Sequence, residues 1–251
     1  MARKGLHVTG IDVVERHVAK AKKTARKEAR RNQKSKGSLE VRHMDYHHLE
    51  SFADASFDGV YTMETLVHAV QPEQVLAGFF RVLRPGGRLA MHEYDNVMQE
   101  VEQEEQKQHG QALVSETSNP ENEQSMSAGG MGDGKKKRRK PDDTLKHSMR
   151  QVNEWSAMPT NAISSPGAFT RMLEEAGFVD VQVRDLSDNI RPMTRFFFAL
   201  AIVPFWIISL FGLERHFINT VAGVGAYRGY GFWRYVQIEA RKPEVAASMG
   251  T

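Results

Sequence analysis

Four short stretches near the start of this chain limit what it can become, because each reads as a strand and each stops on an acid. They are His7-Val8-Thr9-Gly10-Ile11-Asp12, Leu39–Met44 before Asp45, Phe57–Met63 before Glu64, and Arg88–Glu93. The first and third are short apolar runs, and the second alternates apolar and polar side chains, both patterns of a strand in a covered sheet. Val13–Arg31, rich in Ala, Lys and Arg, predicts a helix. Asn32–Ser38 predicts a loop, and Tyr46–Ser56 a loop with at most one helical turn. Pro72 opens a second helix through Leu83, and Arg84-Pro85-Gly86-Gly87 stops it. The order β-α-β-β-α-β predicts a mostly parallel, doubly wound α/β sheet covered by helices. Ligands in such sheets bind outside the carboxyl ends of the strands, where Asp12, Asp45, Glu64 and Glu93 all fall.

Asp12 is of the kind that holds nucleotide ribose hydroxyls, since a carboxylate offers two acceptor oxygens. Its usual companion is a glycine-rich turn about twenty residues upstream. The chain starts at Met1 and leaves no room for one.

Composition narrows the function classes. With no cysteine, disulfides, thiolate metal sites and a cysteine nucleophile are excluded, and a reducing, cytoplasmic compartment suits the chain. No histidine has partners at metal-ligand spacing, so no metal is expected, and His43, His47 and His48 read as surface or loop residues. The net charge of +3 hides an acidic run near Glu100–Glu123 and a basic block at Lys135–Lys140. The pI of about 9.0 therefore reflects local patches, and nucleic-acid binding is not expected. Residues 97–141 are rich in Gln, Glu, Ser, Asn and Gly and poor in large apolar residues, which predicts a disordered insertion. Its run Lys135–Pro141 reads either as a solvated loop or as a nuclear-import patch.

Beyond the insertion, Thr144–Trp155 predicts a helix, and Ser164-Ser165-Pro166 is placed to cap another through Glu175. Phe178–Val183 predicts a fifth strand. Phe196–Leu213 then runs for 18 residues without a charge, at the lower limit for a membrane span, with Pro204 expected to break it into half-helices. It reads as a lid over an apolar ligand, or as a membrane contact that would suit a peripheral position on the endoplasmic reticulum. Gly223, Gly225, Gly229 and Gly231 predict a flexible approach to a last strand, Phe232–Ala240. The resulting division is 1–96 and 142–189 as an α/β region, 97–141 as the insertion, 190–231 as the apolar region, 232–243 as the last strand and 244–251 as a tail.

Taken in order, VTGID with its following AKA helix, MDYHHL, FDGVYTMETLVHA and FFRVLRPGGRLAMHEYD resemble the class I S-adenosylmethionine-dependent methyltransferases. Met63–Ala69, His92-Glu93-Tyr94, Asp185–Asn189 and the ending Ile238–Pro243 look like the sterol C-24 methyltransferase branch. The resemblance covers most of the chain outside 97–141. It implies a Rossmann-like sheet with S-adenosylmethionine as cofactor and a hydrophobic, sterol-like or other lipid acceptor. By that resemblance Asp12 binds the ribose hydroxyls with Ile11 beside it. Asp45 accepts from the adenine amino group with Tyr46 against the ring, and Thr62 and Met63 pass close to the methionine portion. Glu64 and His68, four apart, would share one helix face and serve as cation stabiliser and base, with Glu93, Tyr94 and Asp95 as further candidates. Phe197, Phe198, Phe205 and Trp206 would cover the acceptor; each also suits plain core packing.

The same resemblance implies a central first strand and a glycine-rich loop, between the strands at Leu6–Asp12 and Phe57–Met63, that this chain does not contain. The sequence is accordingly expected to be a shortened form that binds cofactor weakly or not at all. Two other readings stand beside the enzyme: an inactive relative that binds lipid or a partner protein through 192–231, and a protein anchored in a membrane by 196–213.

Overall fold

The computed structural model describes residues 1–31, 37–98, 143–159 and 163–244. The insertion expected between 97 and 141, with its basic run, lies almost wholly outside them. Among the described residues six strands form, at His7–Asp12 (β1), Ser38–His43 (β2), Phe57–Met63 (β3), Leu83–Asn96 (β4), Val179–Asp185 (β5) and Trp233–Arg241 (β6). The helices are Glu15–Arg31 (α1), Pro72–Val82 (α2), Asp143–Trp155 (α3), Ala168–Glu175 (α4), Ser187–Leu210 (α5) and Ile218–Arg228 (α6).

The strands make two sheets. β1 and β2 pair in parallel by themselves, and the other four run in the order β3-β4-β6-β5. β3 and β4 are parallel, whereas β6 is antiparallel to both neighbours, so the second sheet is more mixed than the alternating pattern suggests. β4 is longer than expected because Arg84–Gly87 is absorbed as an irregularity in its ladder with β3. Gly86 takes the left-handed conformation there (φ 76°), and its N–H donates to the Lys242 carbonyl.

One face of the second sheet is the core. Leu89 and Met91 of β4 alternate inward and meet Val236 and Ile238 of β6. α2 covers them with Val75, Leu76, Phe79 and Val82, spaced to share one helical face, and α4 adds Phe169 and Leu173. The smaller sheet joins the same core through Ile11, Met44 and Tyr46.

Three local expectations are corrected. Ser164-Ser165-Pro166 does not cap α4; the N-cap is Gly167 at φ 82°, a left-handed conformation that glycine takes without strain. Pro204 does not break the apolar stretch, since α5 runs unbroken for 24 residues through Pro192 and Pro204. Pro204 and Leu200, whose carbonyl loses its helical donor, are both exposed, so water can satisfy that group. Nor are the glycines near 223 a flexible approach. Gly223 lies within α6, where a Cβ would meet Ala201 Cβ of α5 at an ordinary packing distance of 3.7 Å.

Candidate functional site

Asp12, Asp45 and Glu64 stand at the carboxyl ends of β1, β2 and β3, whereas Glu93, expected at an end, lies three residues inside β4; each is held by its own local chemistry. Asp12 ends β1 and turns the chain into α1: its Oδ1 accepts the Val14 N–H at 2.7 Å, and its Oδ2 lies 3.2 Å from His17 Nδ1. The carboxylate stays partly exposed and keeps lone pairs for another partner. Asp12 pairs with His43 in the ladder, which places Asp45 beside it at the end of the neighbouring strand. Asp45 Oδ1 accepts from both the backbone N–H and the ring Nδ1 of His47, at 2.9 and 2.7 Å. Burial raises the Asp45 pKa, but the His47 hydrogen bonds outweigh it and hold the carboxyl below its ordinary value. His47, expected at the surface or in a loop, sits in the turn after β2 but is mostly buried, and its Nε2 has no hydrogen-bond partner among the described residues.

Tyr46 crosses the gap between the two sheets: its hydroxyl donates to the Thr65 carbonyl at 3.1 Å, and burial pushes its pKa up to about 12. Its ring lies 4.8 Å from that of His47. Ile11 packs against the core beneath this bridge. Thr62 points inward on β3 with a buried Oγ1 that has no partner, whereas the side chain of Met63 is exposed.

Glu64 and His68 do not share a helix face. The chain after β3 makes only a one-turn 3₁₀ helix, Leu66–His68, and Glu64 sits before it in the left-handed region at φ 53°. Its carboxylate faces the hydroxyls of Tyr94 and Tyr235, which burial and this nearby acid hold protonated well above neutrality. His68 Nδ1 lies 2.9 Å from the Ala157 carbonyl, which can only accept, so that nitrogen carries the proton and Nε2 is left as the basic one.

Glu93 is wholly buried and points to the core side of β4. Its Oε1 accepts the N–H groups of Thr65 and Leu66 at 3.1 and 2.9 Å, while Oε2 has no hydrogen-bond partner among the described residues. Burial raises its pKa to about 7, against the lowering effect of those amides. Glu93 thus fixes the turn after β3 and is not open to a substrate.

The aromatic candidates of α5 divide by face. Phe198 stacks on Tyr227 of α6 at 4.5 Å, and Arg228 lies over the rings of Phe198 and Phe205. Phe197 and Trp206 are exposed. Sequence reasoning missed Tyr235 and His92. β6 sets Tyr235 opposite Tyr94, and the Tyr235 ring stacks on that of His92 at 6.0 Å. The alternating aromatic residues of the last strand were the available signal, but an antiparallel register between segments so distant in the chain cannot be read from spacing.

Residues 1–91 match a family model described as a methyltransferase domain. Over 243 residues, 97% of this chain and 70% of the relative, the sequence is 36% identical to the S-adenosyl-L-methionine-dependent Diels-Alderase iccD of Talaromyces variabilis. The corresponding enzyme iliD of Neonectria sp. is 34% identical over 72% of this chain, which spans about half (53%) of that relative. The sterol 24-C-methyltransferase ERG6A of Gibberella zeae is 37% identical, but over only 36% of this chain and 22% of its own length. Among solved structures, the [4+2]-cyclase SpnF superposes with a TM-score of 0.57 at 21% identity, covering 96% of this chain and 67% of that one. The chain belongs to the class I S-adenosylmethionine-dependent methyltransferase family, whose fold is Rossmann-like and whose cofactor is S-adenosylmethionine. The likeness to the sterol branch is confined to a short stretch, and a sterol acceptor is not supported.

The residues present fit the adenosine half of that cofactor. Asp45 is an ionised acceptor and Asp12 a partly exposed one beside it, while Thr62, expected near the methionine portion, has a buried hydroxyl without a partner among the described residues.

Proposed function

We propose that this protein binds S-adenosylmethionine through Asp12, Asp45 and Thr62 and promotes an intramolecular [4+2] cycloaddition of an apolar polyene beside the strand ends. The observation that carries this reading is the extent of the likeness to iccD, which runs along nearly the whole chain and includes the α5–α6 region. Cycloaddition forms two carbon–carbon bonds and moves no proton. It asks the protein for an apolar enclosure that holds the chain in a reactive fold, and for donors or positive charge beside an activating carbonyl. The bound cofactor supplies a sulfonium charge. Tyr94 and Tyr235 remain protonated through neutral pH and place their rings at the strand ends, with their hydroxyls turned to Glu64. Ile11 and Tyr46 close the adenosine side, and the inner aromatic residues of α5 belong to the apolar enclosure.

Methyl transfer to a hydrophobic acceptor is the second reading, favoured by the methyltransferase-domain match over 1–91 and by the basic Nε2 of His68, which can take a proton from a methylated product. One experiment separates the two. A linear substrate carrying a diene and an activated alkene is incubated with the protein and S-adenosylmethionine labelled in its methyl group. Cycloaddition gives a product of unchanged mass and leaves the cofactor intact. Methyl transfer puts the label in the product and accumulates S-adenosylhomocysteine. Absence of cofactor binding, even at millimolar concentration, overturns both.

A further inference from the structure

α5 is more apolar than its neighbours can bury. It has the length and composition of a membrane-crossing helix, yet only 6% of its most apolar 18-residue stretch is buried. The exposed side chains are ordered: Phe196, Leu200, Val203, Ile207 and Leu210 follow at steps of four and three and form one continuous stripe, with Trp206 beside it. Leu210 is 79% exposed and Trp206 66%. A contiguous patch of this kind on a folded protein marks a binding surface.

We propose that this stripe docks on an anionic phospholipid bilayer, with α5 lying in the plane of the interface. A protein partner is disfavoured by the chemistry of the stripe. Stable protein interfaces carry about ten hydrogen bonds, whereas from Phe196 to Leu213 the only polar side-chain groups are the Ser209 hydroxyl and the Trp206 indole N–H. Lipid tails ask for none. The charges at its start suit phosphate headgroups. Arg191 and Arg195 precede the stripe and no acid occurs from Asn189 to Leu213, so the basic character lies at the start of the stripe; Glu214 and Arg215 follow it as an opposed pair of charges. The neighbouring acid Asp188 is engaged by the Tyr230 hydroxyl at 2.6 Å.

The helix lies along the surface because its opposite side is occupied. Phe198 stacks on Tyr227, and Ala201 meets the bare backbone of Gly223. α6 is held to β6 in turn by the Trp233 indole, which donates to the Ala226 carbonyl at 3.1 Å. Lipid therefore reaches one face of α5 only, as in a helix seated in an interface. The proposal does not rest on the reaction assigned above, since the stripe faces away from the packed side of α5.

The test is flotation of the full chain with vesicles of phosphatidylcholine alone, or with about 30 mol% phosphatidylserine, enough to give a surface potential of tens of millivolts. The protein floats with the anionic vesicles, and brominated phosphatidylcholine quenches its tryptophan emission. Trp206→Glu with Leu210→Glu lowers vesicle partitioning on the order of a hundredfold. Arg195→Glu with Arg215→Glu removes the preference for anionic vesicles. All four positions are exposed, so circular dichroism is expected to match the wild type. If a variant nevertheless unfolds, bromolipid quenching of the wild type decides the question. The proposal is overturned if the wild type stays at the bottom of the gradient without quenching. It is equally overturned if folded Trp206→Glu/Leu210→Glu floats unchanged, or if gel filtration shows a dimer that this variant dissociates while neither protein binds vesicles.

Discussion

Glu93 gives the protein a pH dependence that can be isolated by one substitution. An unfolded glutamate titrates near 4.5, and burial raises the folded value to about 7. Below 4.5 both states hold the proton and the site adds no pH dependence. Between the two values the unfolded chain has released its proton while the folded one keeps it, so stability falls as pH rises. Above 7 the folded state carries a buried carboxylate with one unpartnered oxygen, and the full loss has occurred. A gap of roughly two and a half units at about 1.36 kcal/mol each gives about 3 kcal/mol, an order-of-magnitude figure for a buried group. Glu93→Gln keeps an oxygen for the Thr65 and Leu66 amides and removes the ionisation. Urea unfolding of both proteins from pH 4.5 to 8, followed by circular dichroism, isolates the effect, because other titrating groups cancel in the difference. The variant gains on the wild type by about 3 kcal/mol across that range, mostly between pH 5 and 7. A difference that stays constant with pH refutes the assignment of Glu93 as a carboxyl whose pKa is raised by burial.

Three further outcomes follow from the geometry. Lys242 Nζ donates to the carbonyls of Phe80 and Leu83, each at 2.8 Å, and lies over the Phe80 ring, so Lys242→Met uncaps the end of α2. It is expected to cost about 2 kcal/mol in a urea titration. Asp12→Asn preserves the cap on Val14 and changes stability by less than about 0.5 kcal/mol, while Asp12→Ala costs about 1 kcal/mol; both weaken cofactor binding in calorimetry, which a purely structural role for Asp12 would not do. Because Asp12 and Asp45 stand on one sheet and Thr62 on another with no ladder between them, S-adenosylmethionine is expected to bind this 251-residue chain more weakly than micromolar. A micromolar dissociation constant by calorimetry contradicts that.

Local pattern revealed most of the elements. The span of β3 and the start of α2 were readable because an apolar run and a proline mark them without reference to the rest of the chain. So was the placing of Asp12, Asp45 and Glu64 at strand ends, whereas Glu93 lies three residues inside β4. What depended on distant contacts was not readable. Glu64 and His68 look like a helix pair by spacing, but Glu93, from another strand, accepts the Thr65 and Leu66 amides and fixes a tight turn there instead. Pro204 reads as a break, yet its exposed position lets the helix continue. His47 reads correctly as a loop residue, but its burial was not readable, because nothing in its neighbourhood shows that Asp45 will draw its ring inward.

The separation of β1 and β2 from the other strands gives this molecule two levels of cooperativity. The β1–α1–β2 unit has a single ladder of its own and meets the main core through Ile11, Met44, Tyr46 and the Tyr46–Thr65 hydrogen bond. It can open without dissolving the four-stranded sheet, so its amides are expected to exchange with solvent at a lower free-energy cost than those of β4 and β6. The residues fitted to the adenosine half of the cofactor stand largely on this looser unit. A ligand held there must order it, which makes cofactor occupancy and the tightness of the smaller sheet one linked equilibrium.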